Sequence, residues 1–73
     1  MKYILIIWIC SFGAERPHCG PGLTYPVKFD SWYDCTQTAL TESGKIMSQM
    51  GQSRVDEHKL AIKFACRKSP PTI

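Results

Sequence analysis

The fold of this chain is decided by a stretch in its second half, Lys59-Leu60-Ala61-Ile62-Lys63-Phe64-Ala65-Cys66-Arg67. Large apolar residues and Cys66 alternate there with lysine, alanine and arginine, so one face is apolar and the other carries charge. A period of two with charge on one side predicts a half-buried β-strand over residues 59–67. The following Ser69-Pro70-Pro71 ends the strand, because proline has no N–H to donate to a β-ladder.

Upstream of this strand, residues 31–50 have the spacing of an amphipathic helix. Ser31 is a good N-cap, and the Asp34 carboxylate falls in the first turn, where the helix N–H groups lack partners. Gly51 is a natural stop, because glycine readily adopts the left-handed conformation that ends many helices. Small and apolar residues recur every three or four positions and predict one buried stripe, formed by Trp32, Cys35, Ala39, Leu40, Ser43, Ile46, Met47 and Met50.

The helix and the strand each place a cysteine at their common interface. Cys35 lies on the helix stripe and Cys66 on the apolar face of the strand. A helix over 31–50 rises about 30 Å, and the strand returns a similar distance at about 3.3 Å per residue. Antiparallel packing therefore brings the two thiols together and predicts a Cys35–Cys66 disulfide, which contributes about 3–4 kcal/mol in the chain-entropy model.

The fold class that follows is α+β. We expect a small disulfide-stapled unit in which one helix packs antiparallel against a C-terminal strand in a minimal sheet. Residues 13–27 are rich in proline and glycine, which favours an irregular loop and excludes a helix or a central strand. The strand over 59–67 still needs a partner, because an isolated strand leaves its backbone groups unpaired. That partner is residues 23–29, a second chain, or residues 3–10.

The first residues have the composition of a targeting segment. Lys2 precedes an unbroken apolar run over residues 3–10. Ser11 and Gly13 are small residues that fit the −3 and −1 positions of a signal-peptidase site. This pattern predicts a signal peptide that is cleaved after Gly13 or Ala14.

The domain organisation follows from that prediction. Residues 1–14 are expected to be a signal peptide and residues 15–73 a single small cysteine-stapled domain. A transmembrane helix needs about 20 apolar residues, which is more than the run supplies. Two alternatives stay open: residues 3–10 are retained as a buried strand, or the segment anchors the chain to a membrane, uncleaved or lipidated at Cys10.

Four cysteines allow three connectivities. The pairing of Cys10 and Cys19 depends on whether the N-terminal segment is retained. If the segment is retained, a Cys10–Cys19 disulfide completes an even set. If it is removed, Cys19 is free or pairs between chains. A small exported chain of this size commonly relies on such bonds, because its hydrophobic core is limited.

The sequence does not favour metal, nucleic-acid or catalytic chemistry. The cysteines are separated by eight, fifteen and thirty residues without a C-x-x-C pair, and His18 and His58 are not at ligand spacing. A catalytic pair such as Cys19 with His58 depends on spatial proximity, which the sequence cannot test. The net charge is +3, or +2 without the first 14 residues, and the cations are scattered, whereas phosphate binding needs clustered cations. We therefore expect no metal, no cofactor and no nucleic-acid partner.

The function predicted from these observations is general. We expect a small exported non-enzymatic binding or interaction protein, secreted or periplasmic, whose partner is another protein or an envelope component. It would contact a membrane only through an uncleaved N-terminal segment. The alternative is a small thiol-exchange or redox-active protein that uses an unpaired Cys19. Two interpretations of Trp32 and Tyr33 stay open. Either they form a ligand-binding aromatic patch or, as we expect, Trp32 anchors the start of the helix in the core and Tyr33 is partly exposed.

Several short segments resemble a family of short uncharacterised cysteine-containing proteins of marine bacteria and their phages. The segments span nearly the whole chain: Met1-Lys2-Tyr3-Ile4-Leu5, Cys10-Ser11-Phe12, Asp34-Cys35, Glu57-His58-Lys59 and Ile62-Lys63-Phe64-Ala65-Cys66. The resemblance implies a similar small cysteine-bearing architecture. It implies no activity and no site residues.

Overall fold

The sheet of this protein is built around its first strand. A computed structural model describes residues 2–13 and 15–69. Its elements follow in the order β1 (Tyr3–Ser11), β2 (His18–Cys19), β3 (Leu23–Phe29), α1 (Trp32–Met50), α2 (Gln52–His58) and β4 (Leu60–Lys68). One edge of β1 pairs antiparallel with β4 along its whole length, and the other edge pairs antiparallel with β3 and β2. The α+β fold class is confirmed, with a four-stranded antiparallel sheet.

The central position of β1 answers the question of what pairs with the C-terminal strand. Residues 3–11 are rich in β-branched and aromatic side chains, which suit a strand that has neighbours on both edges. Residues 23–29 pair with the opposite edge of β1. The irregular loop predicted over 13–27 is therefore wrong at residues 18–19 and 23–27. Pro26 is tolerated there because β3 is an edge strand whose register is irregular, so the missing N–H costs no regular ladder bond.

The core lies between the sheet and α1. It is a small cluster of buried residues contributed by β1, α1 and β4: Leu5, Ile7, Cys35, Ala39 and Cys66. In β4, Cys66 lies opposite Leu5, and Phe64 lies opposite Ile7, so the predicted apolar face of the strand does face the core. This packing of the helix against the C-terminal strand is the arrangement that the cysteine positions predicted.

The ends of α1 are formed as the sequence predicted. The Ser31 hydroxyl accepts a hydrogen bond of 3.0 Å from the Asp34 backbone N–H. At the other end, Gly51 has φ +86° and its N–H donates to the Met47 carbonyl at 3.2 Å. A side chain at Gly51 would be strained in this conformation, so the break in the helix at this position depends on glycine.

Part of the helical prediction is wrong. Leu40, placed on the buried stripe, is 56% exposed, because the narrow sheet fully buries only Cys35 and Ala39 on α1. After Gly51 the chain forms the short helix α2. Lys59 ends it in the left-handed conformation at φ 52° and returns the chain to β4. The predicted stop at Pro70-Pro71 lies outside the described residues.

The position of β1 bears on the targeting segment. Cleavage after Gly13 would remove β1, the strand with which β2, β3 and β4 all pair. Ala14, the second predicted cleavage position, lies outside the described residues. The cleaved chain and this sheet are therefore mutually exclusive states, and cleavage stays a prediction. None of the helices within residues 2–13 and 15–69 has the length and hydropathy needed to span a membrane.

Candidate functional site

All four cysteines are in disulfides. Cys35 and Cys66 join α1 to β4 with their Cα atoms 6.2 Å apart, and Cys35 is fully buried. Cys10 and Cys19 join β1 to β2, where they lie directly opposite each other in the register. Cys10 is buried and Cys19 is exposed, so this second bond is reachable from solvent only on the Cys19 side.

A second face of the sheet lies opposite the core. The even-numbered positions of β1 and their partners point away from α1, since successive strand residues alternate between faces. We call this surface the outer face. Its members follow from the strand registers and are Ile4, Ile6, Trp8 and Cys10 in β1, Cys19 in β2, Thr24 and Lys28 in β3, and Ala61, Lys63, Ala65 and Arg67 in β4.

The middle of the outer face is an apolar column of half-buried side chains: Ile4, Ile6 and Trp8. The Lys63 ammonium lies 4.8 Å from the centre of the Trp8 ring, in a cation–π contact. On the other side, a Cβ added at Gly22 would lie 2.7 Å from the Trp8 ring nitrogen, so the loop approaches this closely only because residue 22 is glycine. The tryptophan is held between a lysine and a backbone segment.

The charges on the outer face all have one sign. Lys28 and Arg67 flank Ile4 on the two neighbouring strands, and Lys63 flanks Trp8. None of the outer-face positions is acidic. Within the described ranges, no carboxylate lies within ion-pair distance of these three cations. The face therefore combines a half-buried apolar centre with three cations that pair with no carboxylate of the described residues.

The carboxylates of Glu42 and Asp30 form their contacts away from the outer face. The Tyr25 hydroxyl donates to the Glu42 carboxylate, which also pairs with Lys45 at 3.2 Å. These contacts lower the pKa of Glu42, with the Tyr25 hydrogen bond as the main cause, and the same bond raises the pKa of Tyr25. Asp30 pairs with Lys2 beyond the end of β1, and the hydrogen bond from the ammonium lowers the pKa of this carboxyl.

A shallow pocket of about 390 Å³ lies on the core side of the sheet, beyond the cover of α1. Its walls are mostly apolar, and they are formed by Ile9, Ser11, His18, Gly20, Pro21, Leu23 and Leu60. The Ser11 hydroxyl donates to the His58 backbone carbonyl at 2.9 Å, so its proton is already engaged. The pocket has the character of a small apolar recess and contains no assembled acid–base pair.

The aromatic pair at the start of α1 is exposed. Trp32 is 58% exposed and Tyr33 is 70% exposed, so the prediction that Trp32 anchors the helix in the core is wrong. The Trp32 ring meets the Tyr3 ring edge-on at 5.9 Å, at the end of the sheet, and this contact covers only one side of it. Among the described residues, no cluster of histidine, cysteine and carboxylate side chains is suited to hold a metal ion.

The outer face was not visible in the sequence because its cations are far apart along the chain. Lys28, Lys63 and Arg67 meet only through the pairing of β3 and β4 with β1. The alternation of β4 did indicate that Lys63 and Arg67 share a face. Comparison with known proteins adds no assignment, because no protein-family model, curated protein or solved structure matches the chain significantly.

Proposed function

We propose that this protein is a small non-enzymatic binding protein that engages its partner with the outer face of its sheet. The core supports this proposal, because α1 covers the Leu5 and Ile7 side, and no helix among the described residues contributes to the opposite side. A sheet face that carries a tryptophan and two isoleucines normally needs cover. A partner supplies that cover.

The observation that carries the proposal is the pairing of this apolar column with three exposed cations that have no carboxylate partner among the described residues. Like charges gathered on one face repel one another. An anionic partner removes this repulsion when it binds. Lys28, Lys63 and Arg67 then act as steering charges, which raise the association rate.

We also propose an oxidising location, secreted or periplasmic, for the folded protein. Two disulfides in a chain of this size are compatible with such a compartment, and structural disulfides are rare in the cytosol. The proposal concerns the chain that keeps residues 3–11, since these residues form β1 and the whole apolar column.

The thiol-exchange alternative rested on an unpaired Cys19. In the structure Cys19 is bonded to Cys10, so exchange would begin with attack of a partner's thiolate on this disulfide. Incubation of the native protein with reduced glutathione, followed by an acid quench and mass measurement, separates the two functions. The binding function expects no mixed disulfide, whereas rapid formation of a glutathione adduct on Cys10 or Cys19 would support thiol exchange.

The binding function is tested by titrating the oxidised protein, labelled with ¹⁵N, with a panel of defined anions. Suitable probes are polyglutamate, oligodeoxythymidylate, heparin and phosphatidylglycerol vesicles, with polylysine as the control of opposite charge. We expect at least one anion to shift the amide signals of β1 and β4 around Trp8 and Lys63, and polylysine to leave them unchanged. If no anion does so, or if the shifts centre on Trp32 and Tyr33, the proposal is wrong.

A further inference from the structure

The spacing of charges on the outer face defines the chemistry of the partner, on the basis of the proposed function. We infer that the ligand is an extended acidic segment of another protein, with carboxylates at positions i and i+4 and an apolar side chain at i+2. This segment lies along the outer face with its acidic side chains over the cations and its apolar side chain on the column.

The spacing of the cations along β4 matches that of side chains on an extended peptide. Lys63 and Arg67 lie on the same face and are four residues apart, a distance of about 13 Å at 3.3 Å per residue. An extended peptide has the same rise, and its side chains at i, i+2 and i+4 also share a face. Two carboxylates with this spacing therefore meet both cations at once.

The side chain between the two cations of β4 is small. Ala65 lies midway between Lys63 and Arg67, directly opposite Ile6 in the register. The methyl side chain of Ala65 leaves a gap on the β4 side of Ile6, whereas Gly22 closely approaches Ile6 from another side. An apolar side chain at position i+2 of the ligand fits this gap and covers the half-buried isoleucine.

A third cation, Lys28, lies on the other side of the apolar column. Lys28 and Arg67 flank Ile4 on opposite strands, roughly 10 Å apart at two strand spacings of about 4.8 Å. A carboxylate that lies over Ile4 is reached by both long side chains, because lysine and arginine extend flexibly from the sheet. One end of the ligand is thus held by two cations and the other end by Lys63.

Other occupants fit this face less well. Base stacking needs an open aromatic ring, but the face of Trp8 is taken by Lys63 and its edge by Gly22. Bilayer insertion needs protruding apolar side chains, whereas Ile4 and Ile6 are half-buried. A second copy of the chain would bring the same cations against one another, with no acid on either face.

The experiment uses three short capped peptides and the oxidised full chain. The test peptide contains Glu-Thr-Ile-Thr-Glu, the first control replaces both glutamates by glutamine, and the second control moves one glutamate to i+3, on the other side of an extended strand. Binding is followed by ¹⁵N chemical shifts and by the fluorescence of the two tryptophans. We expect the test peptide to shift outer-face amides and both controls to bind at least about tenfold more weakly, since each loses one or both charge contacts.

Protein variants provide the matched comparison. Arg67→Gln should weaken the test peptide about 5- to 10-fold, whereas Arg54→Gln, which removes the same charge from α2, should change binding less than about twofold. Both sites are exposed, so both variants should keep the dispersed amide spectrum of the parent. Equal effects of the two substitutions would show that binding follows net charge alone and would overturn the inference.

The remaining outcomes separate the two proposals. If oligodeoxythymidylate or phosphatidylglycerol vesicles shift the outer face and the test peptide does not, the acidic-segment inference is wrong while the binding function stands. If the glutamine peptide binds as well as the test peptide, the inference is also wrong. If no probe reaches the outer face, the binding function fails with it.

Discussion

Replacing Leu5 with alanine tests whether the first strand belongs to the mature protein. Leu5 is fully buried, faces α1 and lies opposite Cys66 in the register. The change removes three carbons, about 2.4 kcal/mol at 0.8 kcal/mol per buried methylene, and leaves a cavity that adds to this loss. We expect the free energy of unfolding to fall by about 3–4 kcal/mol, a large part of the total for a domain of this size.

The matched control is Ile4→Ala. In a targeting segment the two substitutions remove similar hydrophobicity from neighbouring positions and act alike. In β1 they act differently, because Ile4 lies on the outer face, is half-buried and leaves no enclosed cavity. We expect Ile4→Ala to lower the free energy of unfolding by only about 1 kcal/mol.

The assay is urea unfolding of the oxidised, exported protein, followed by circular dichroism and accompanied by its intact mass. With a slope of about 1 kcal/mol per molar urea, the midpoint should fall by about 3 M for Leu5→Ala and about 1 M for Ile4→Ala. The reasoning is refuted if both variants unfold like the parent and the intact mass lacks the first 13 or 14 residues. That result would establish cleavage and would mean that the sheet built on β1 is not the mature fold.

Two further predictions concern the disulfides and pH. Removing the Cys35–Cys66 bond by alanine substitution should cost about 1 kcal/mol more than removing the bond between β1 and β2, since the residues it joins are 31 apart in sequence rather than 9; equal urea midpoints would contradict this. The lowered pKa of Glu42 stabilises the folded state above pH 4.5, the ordinary value for glutamate, and this stabilisation is lost as the pH falls toward the lowered value. Tyr25→Phe removes the main cause of the shift, so its stability should depend less on pH in this acidic range than that of the parent.

The helix and the last strand were predictable because their signals are local. The cap at Ser31, the stop at Gly51 and the alternation over residues 59–67 each depend on a few neighbouring residues. The antiparallel packing of α1 and β4 followed from matching their lengths, with the cysteines as markers. Such predictions succeed when the residue spacing within a helix or strand determines which of its side chains face the core.

The role of the first strand could not be decided from its composition. A central β-strand and the hydrophobic part of a signal peptide both favour an unbroken run of large apolar residues, and residues 3–10 satisfy both. The edge strand β3 was hidden for another reason, because Pro26 and the nearby glycines are typical of loops. In each case the deciding information is the pairing with a distant strand.

The exposed side chains were the least predictable feature. Helical spacing placed Trp32 and Leu40 on the buried stripe, but both are exposed, because the stripe is narrower than expected and the sheet beneath α1 is only three strands wide. The grouping of the cations on the outer face could be recognised only from the register of the strands. Lys28 and Arg67 are separated by about half of the chain and become neighbours only across Ile4.

The first strand links the question of processing to the question of function. Its odd positions, Leu5 and Ile7, fill the core beneath α1, and its even positions, Ile4, Ile6 and Trp8, form the column on which the partner is proposed to lie. Loss of this strand would therefore remove the core and the binding face in a single step. A chain that binds an acidic segment through the outer face must retain residues 3–11, so the intact mass of the binding-competent protein tests the fold and the proposed function together.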